Sequence, residues 1–307
     1  MSATSLHSQT IPLSEEQVSK LRIVLTEDGF EFETRPYMIL FAKKGKVSVS
    51  VYEKGPKAVI QGKGLEDFIL FRLEPEVLGE ARMGYDEVHH PERFAPHFGI
   101  DESGKGDFFG PLVVAGVFVD GIIAKHFQDI GIRDSKNISS DKKIRDLANL
   151  IRKSNTPTSV VMIGPDKYNV LLKKFRNLNH FLAWGHARVI ENLLDLVPGC
   201  PRALSDQFAN PTVLQRALLE KGQKIQLDQQ TKAESDYAVA AASILAREKL
   251  IDWFDQMTQK FGITIPRGAS ARTKEVAKEL AVKHGVDVLQ TTTKTHFKTY
   301  NEVLATL

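Results

Sequence analysis

The chain has one cysteine, Cys200, in 307 residues, which excludes an intrachain disulfide and suits a reducing compartment. A plain packing role is the expectation for that thiol. No stretch reaches the ~18 uninterrupted apolar residues of a membrane span. The opening MSATSLHSQT has neither the basic nor the apolar block of a secretory signal. These absences lead us to expect a soluble, cytoplasmic protein with no membrane partner. Charge of one sign is also scarce: 41 basic residues face 38 acidic ones, a net of +3. Global charge therefore argues weakly for a nucleic-acid partner, and only its distribution can carry that case. Internal repeats and low-complexity tracts are missing as well.

What is present is enough apolar material for a core (42%) on a chain longer than most single domains, so two domains are expected. Residues 1–13 read as a loose polar start. Ser14 and Gln17 form a capping-box pattern ahead of Val18, Leu21 and Leu25 at helical spacing, and Asp28-Gly29 closes that helix. Over 30–61 the period changes to two, with Val47, Val49 and Val51 on one face and Ser48, Ser50 and Tyr52 on the other. Lys44-Gly45-Lys46 and Lys54-Gly55-Pro56 read as the turns of a meander. A second helix is expected over 65–72, ending before Pro75.

Charge is uneven in this region. Lysines 43, 44, 46, 54, 57 and 63 face a single acid, Glu53. Such a patch beside Phe and Tyr could grip a phosphate backbone, with Lys43, Lys44 and Lys46 as the named candidates. The alternative is lysines that guard turns and edge strands against aggregation. Residues 79–98 mix Gly, Pro and His without periodicity and read as a linker, with His89, His90 and His97 as solvated loop histidines.

From 99 onward apolar strands and amphipathic helices interleave, which indicates an α/β domain with a mixed sheet. Strands are expected on both sides of the turn at 104–106, over 159–163 and 203–208, and at 224–227. Helices are expected over 140–152, 181–196, 237–255 and 273–284. The organising stretch is GIDESGKGDFFGPLVVAGVF at 99–118. Asp101 and Glu102 stand side by side at the mouth of a Gly-Lys-Gly turn, with apolar residues directly after. Paired carboxylates in such a setting are costly unless a cation neutralises them, and Mg²⁺ holds oxygen ligands better than Lys105 could. The stretch is one letter from a phosphate loop, GxxxxGK[ST]. Gly106 stands where the Mg²⁺-binding hydroxyl belongs, and strand and turn follow instead of a helix, so that reading is set aside.

Three further acids have comparable settings: Asp206 at the end of a short apolar strand, and Glu234 and Asp236 at the start of the alanine-rich helix. Each alone is explained by capping or the helix dipole. Four acids meeting at one point would imply two divalent metals.

Taken in order, DESGKGDFFGPLVVAG, DSKN, SDQFA, KAESDYAVAAASILARE, IPRGAS and KTHFKTY resemble the ribonuclease H type 2 superfamily, and within it ribonuclease HIII, with Lys105 and Glu234 as the HIII-like positions. The resemblance implies a ribonuclease H-like catalytic domain with a mixed central sheet over 99–307. Ahead of it would stand a 86–98 linker and a small α+β TATA-binding-protein-like domain over 1–85 that holds substrate. It implies cleavage of the RNA strand of RNA/DNA hybrids, leaving 5′-phosphate and 3′-hydroxyl ends. Two Mg²⁺ ions, with Mn²⁺ as a possible substitute, would sit on Asp101, Glu102, Asp206 and Glu234. Glu234 is preferred to Asp236 because it directly follows Lys232-Ala233. The turn formed by Ser103, Gly104, Lys105 and Gly106 would read ribose 2′-hydroxyls. Lys136, Ser243 and the 294–298 stretch would offer phosphate contacts, against plain surface or packing roles. No protein partner is implied, and a monomer is the default. Two other readings stay open: a type 2-like enzyme that nicks at single ribonucleotides in duplex DNA, and a non-catalytic hybrid-binding module.

Overall fold

The computed structural model describes residues 8–79, 90–132, 138, 140–231 and 233–307. The chain divides into two compact units, residues 1–91 and 92–307.

In the first unit the Ser14 side chain accepts from the Gln17 amide while Gln17 reaches back to the Ser14 amide, which starts helix α1 (Glu15–Glu27). Five strands form one antiparallel sheet in the order β1-β5-β4-β3-β2: β1 (Ser8–Pro12), β2 (Glu31–Phe32), β3 (Met38–Lys44), β4 (Val47–Tyr52) and β5 (Lys57–Gln61). The alternation is as expected. Leu40, Ala42, Val49, Val51, Ala58 and Ile60 form a core with Leu21 and Leu25 of α1.

Two expectations for this unit are corrected. Residues 8–12 are not loose: they pair with β5 from Ser8↔Gln61 to Pro12↔Lys57, because the partner strand has an open edge with free backbone groups. Helix α2 (Leu65–Phe68) does not stop before Pro75 but continues as a π-helix (Ile69–Leu78) containing that proline. The wider turn, seen where the Gly79 amide donates to the Glu74 carbonyl, leaves room for the ring that would clash within an α-helix.

The second unit is built on a mixed sheet in the order β10-β9-β6-β7-β8. Its strands are β6 (His97–Ser103), β7 (Leu112–Val119), β8 (Thr158–Ile163), β9 (Arg202–Asp206) and β10 (Gln226–Gln230). β9 runs parallel to β6 and β10, while β7 is antiparallel to β6 and β8. In chain order the helices are α3 (Gly121–Asp129), α4 (Asp141–Lys153), α5 (Pro165–Phe175), α6 (Leu178–Leu196), α7 (Pro211–Ala217), α8 (Tyr237–Phe261), α9 (Ala271–His284), α10 (Val288–Thr292) and α11 (Lys298–Leu304).

Both sheet faces are covered, so β7 (LVVAGVFV) is apolar throughout instead of alternating. Val113, Ala115, Val117 and Val119 pack with α8. Leu112 and Val114 pack with Phe181, Leu182, Val189 and Leu193 of α6. Residues 92–98 belong to this unit and not to a linker: Phe94 is buried, and His97 and Phe98 begin β6. The span 80–89, with His89, lies outside the described residues.

Gly99 is the hinge of this arrangement. A Cβ there would lie 2.1 Å from the Val239 amide nitrogen and 2.2 Å from the Ala238 carbonyl carbon. Only glycine lets the first turn of α8 rest its backbone on β6. That contact brings the start of α8 beside the strand that carries Asp101.

Candidate active site

Successive residues of a strand point to opposite faces, and this separates the two adjacent acids. Phe98 and Ile100 face α6, whereas Gly99 meets α8, so Asp101 turns towards α8 and Glu102 towards α6. Their partners agree. Asp101 is bonded by the Ser243 hydroxyl of α8 and by the Glu102 amide at 2.8 Å. The Glu102 carboxylate takes His186 Nε2 of α6 at 2.9 Å and lies 3.7 Å from Lys105 Nζ.

The two carboxyls differ in charge as well as direction. Burial, and then the neighbouring Glu102, push Asp101 up to about 7 against the bonds from Ser243 and Glu102. Burial works to raise Glu102 too, but the hydrogen bond and charge of His186, with Lys105, outweigh it and hold that carboxyl below its ordinary range. One acid is thus a costly buried group in want of a counter-charge, and the other already has its own.

The parallel pairing of β6 with β9 runs to Ile100↔Ser205, so Asp101 and Asp206 are the next residue on each strand, and alternation turns both towards the α8 side. Asp206 Oδ1 accepts from the Ala233 amide at 3.3 Å. Ala233 opens the 3-10 turn Ala233–Ser235, which carries half-buried Glu234 into α8. Asp101, Asp206 and the Glu234 turn therefore gather at the start of α8. Asp236, the competing fourth acid, is committed elsewhere. It caps α8 by accepting from the Ala238 and Val239 amides, and His97 Nε2 lies 2.9 Å from it. His97 is accordingly a fully buried clasp between β6 and α8, not a solvated loop histidine. Among the described residues no three His, Cys, Asp or Glu side chains close into a preformed metal cage.

Of the predicted substrate contacts, Ser103 ends β6 and Gly104, Lys105 and Gly106 form the turn that follows. Gly104 has φ +91°, and a Cβ there would fall 2.2 Å from the Pro111 carbonyl oxygen, so the turn requires glycine. Lys136 lies outside the described residues. Lys294 is fully buried, and the Ser243 hydroxyl is bonded to Asp101. In the first unit Lys43, Lys44 and Lys46 are exposed, but they diverge. Lys43 lies opposite Ser48 on the sheet face away from α1, Lys46 sits in the hairpin turn, and Lys44 bonds the Asp28 carbonyl at the end of α1.

Sequence reasoning missed His186, which holds Glu102 with one ring nitrogen and meets Ser205 Oγ with the other at 3.0 Å. Its signal was a polar residue on the apolar stripe of α6, between Leu182 and Ile190 at i−4 and i+4. Cys200 is buried beside the Arg202 carbonyl, and burial pushes its thiol up, as expected of a packing residue.

Comparison with known proteins follows the same lines. The family model Ribonuclease HII matches residues 98–300. Ribonuclease HIII of Protochlamydia amoebophila is 43% identical over 285 residues, covering 93% of each chain, and that of Chlamydia caviae is 43% identical, covering 91% of each. The crystal structure of Bst-RNase HIII in complex with Mn²⁺ superposes with a TM-score of 0.68 at 26% identity, over 97% of this chain and 98% of the other. Aquifex aeolicus RNase H3 does so at 0.54 and 29% identity, over 94% and 100%. The chain therefore belongs to the ribonuclease HII family of ribonuclease H enzymes, on the branch named ribonuclease HIII.

Proposed function

We propose that this enzyme hydrolyses the RNA strand of RNA/DNA hybrids from within, leaving 5′-phosphate and 3′-hydroxyl ends, at a centre made by Asp101, Glu102, Asp206 and Glu234. The observation that carries the reading is the gathering of Asp101, Asp206 and the Glu234 turn where β6, β9 and the start of α8 meet. The donors suit Mg²⁺ or Mn²⁺: all are hard carboxylate oxygens, and Asp101 is an acid pushed up to about 7 by burial and by the neighbouring Glu102 charge. An open set of carboxylates is also what Mg²⁺ uses when substrate phosphate completes its shell. Bound there, a pair of such ions would supply an activated water for in-line attack and would neutralise the leaving 3′-oxygen.

The chain's own groups do the rest. Asp101 and Asp206 define the floor on the α8 side. Glu102, held ionised by His186 and Lys105, fixes negative charge at the strand end. Ser103, Gly104, Lys105 and Gly106 offer close backbone approach to a ribose 2′-hydroxyl, the group that separates RNA from DNA. The unit over residues 1–91, a TATA-binding-protein-like domain in this reading, holds the duplex through Lys43, Lys46 and the sheet face away from α1 without sequence preference.

Cleavage of an end-labelled hybrid with and without EDTA tests the proposal. The expected result is divalent-dependent cutting of a run of ribonucleotides and poor cutting at a single ribonucleotide in duplex DNA. Equal cutting of both would favour the type 2-like reading. Binding without cutting under any divalent ion would overturn the nuclease assignment.

A further inference from the structure

The most unusual side chain outside the acid cluster is Lys294. It is fully buried, and its Nζ takes backbone carbonyls as partners, donating to Asp107 O at 2.8 Å and Phe109 O at 3.4 Å, with the Tyr168 ring centroid 5.5 Å away. Burial drags its amine down to about 7 from 10.5. A methionine would fill the same space without that cost. The lysine therefore does something carbon cannot, and two simultaneous hydrogen bonds to one loop are what it does.

The loop is the outgoing leg of the turn at 103–106. Every part of that leg is tied to distant chain. The Lys294 amide donates to the Phe108 carbonyl at 2.8 Å, the Phe108 amide to the Gly268 carbonyl at 2.9 Å, and the Gly110 amide to the Thr292 carbonyl at 3.0 Å. The Gly268 amide donates to the Asp107 carboxylate. Asn169 in turn holds the Lys294 segment, donating to the Thr293 carbonyl at 2.9 Å and accepting from the Thr295 amide at 2.9 Å. The backbone of the 104–106 tip is closed across its base by the Asp107 amide donating to the Gly104 carbonyl at 3.3 Å, and the Lys105 side chain reaches back to within 3.7 Å of Glu102. Its height above the sheet is thus set by where residues 107–109 are held.

We infer that Lys294 is a positioning residue, which clamps the Asp107 and Phe109 carbonyls so that the turn at 103–106 stands where a ribose 2′-hydroxyl can be read. The inference rests on the role given to that turn above. It assigns the KTHFKTY stretch a purpose opposite to the phosphate contact expected of it: Lys294 acts from beneath the substrate surface and never meets the nucleic acid.

The test is a cycle with the full-length enzyme, with its divalent ion, and its Lys294→Met variant. Both are assayed on an all-ribose hybrid and on hybrids carrying one 2′-deoxy substitution at successive positions around the cut. The parent should lose roughly tenfold or more in kcat/KM at the position read by the turn, as loss of a hydrogen bond of ordinary strength implies. Lys294→Met should cut the all-ribose hybrid about tenfold less well, mainly through KM, and its deoxy penalty should shrink to about twofold. A variant that loses activity while keeping the full deoxy penalty shows a merely structural lysine and overturns the inference. A parent indifferent to deoxy substitution at every position removes the turn's role, and the inference with it, while leaving the nuclease reading intact. If Lys294→Met fails to fold, Lys294→Gln keeps an N–H donor group without the charge and on a shorter side chain, and should show a partial loss of both rate and penalty.

Discussion

The two sheets of this protein solve the same problem in opposite ways. The five-stranded sheet of the first unit is covered by helices on one face only, so polar side chains such as Lys43, Ser48 and Tyr52 face outward and need no partner in the protein. The sheet of the second unit is covered on both faces at its centre, and the charged groups buried on β6 are matched from elsewhere: Asp101 by Ser243, Glu102 by His186, His97 by Asp236. Exposed charge acts at long range and is screened by salt, whereas buried charge is local and fixed in direction. In the proposed function the first sheet accordingly grips a polyanion and the second does the chemistry.

The largest effect that would break this contrast concerns Asp101. Asp101→Asn should abolish cleavage, well beyond the ~10–100-fold that loss of an outer-shell partner costs, while hybrid binding measured by anisotropy stays near the parent's. Its stability should move the other way. In metal-free protein the Asp101 carboxyl rises from 3.8 to about 7. The native state therefore keeps a proton that the unfolded chain has shed between those values, and stability falls as pH rises through them. The asparagine variant escapes that loss and should melt higher than the parent at mildly alkaline pH, by roughly 5 °C. The gap should close as pH falls towards 3.8. A variant less stable than its parent at alkaline pH would show that Asp101 is not a strained buried acid.

Next in size is His186→Ala, which strips Glu102 of its main hydrogen-bond partner. It should raise the divalent concentration for half-maximal activity and lower kcat by about 10–100-fold, with little dependence on ionic strength. A strong salt dependence would erase the distinction between the sheets. The smallest effect belongs to the first unit. Replacing Lys43 and Lys46 together by Ala should leave kcat alone, raise KM a few fold and flatten the plot of log affinity against log salt by about two, one for each phosphate that no longer has a lysine to neutralise it. A change in kcat instead would mean that the two sheets do not divide the work.

The contrast also explains how much could be read in advance. One-sided burial leaves a period-two record, so the meander over 30–61 was legible down to its Gly45 and Gly55 turns. The capping box of α1 was legible because Ser14 and Gln17 satisfy each other locally. The edge strand β1 was not: SQTIP has no strong alternation, and only the free edge of β5 makes it a strand. In the second unit α4, α6, α8 and α9 were visible from periodicity, while α3, α5, α7 and the short helices at the C-terminal end were not. Short helices lean on tertiary packing more than on their own sequence. Among the site residues the acids were legible as types at given positions. The commitment of Asp236 and His97 to each other, and the partnership of His186 with Glu102, depend on residues 139 and 84 positions apart, and the tie of Asp206 to the Glu234 turn on residues 27 apart.

By itself the sequence determined the elements whose reasons are local: caps, glycine turns, apolar runs, and the presence of carboxylates at strand ends and at a helix start. Tertiary structure alone decided direction. The period of a strand sends Asp101 and Glu102 to opposite faces, a glycine without a Cβ lets α8 rest on β6, and the parallel register of β9 brings Asp206 alongside. Where a carboxylate points, and what meets it there, is set by neighbours far away in the chain, because the cost of burying a charge is relieved only by groups that the fold carries to it.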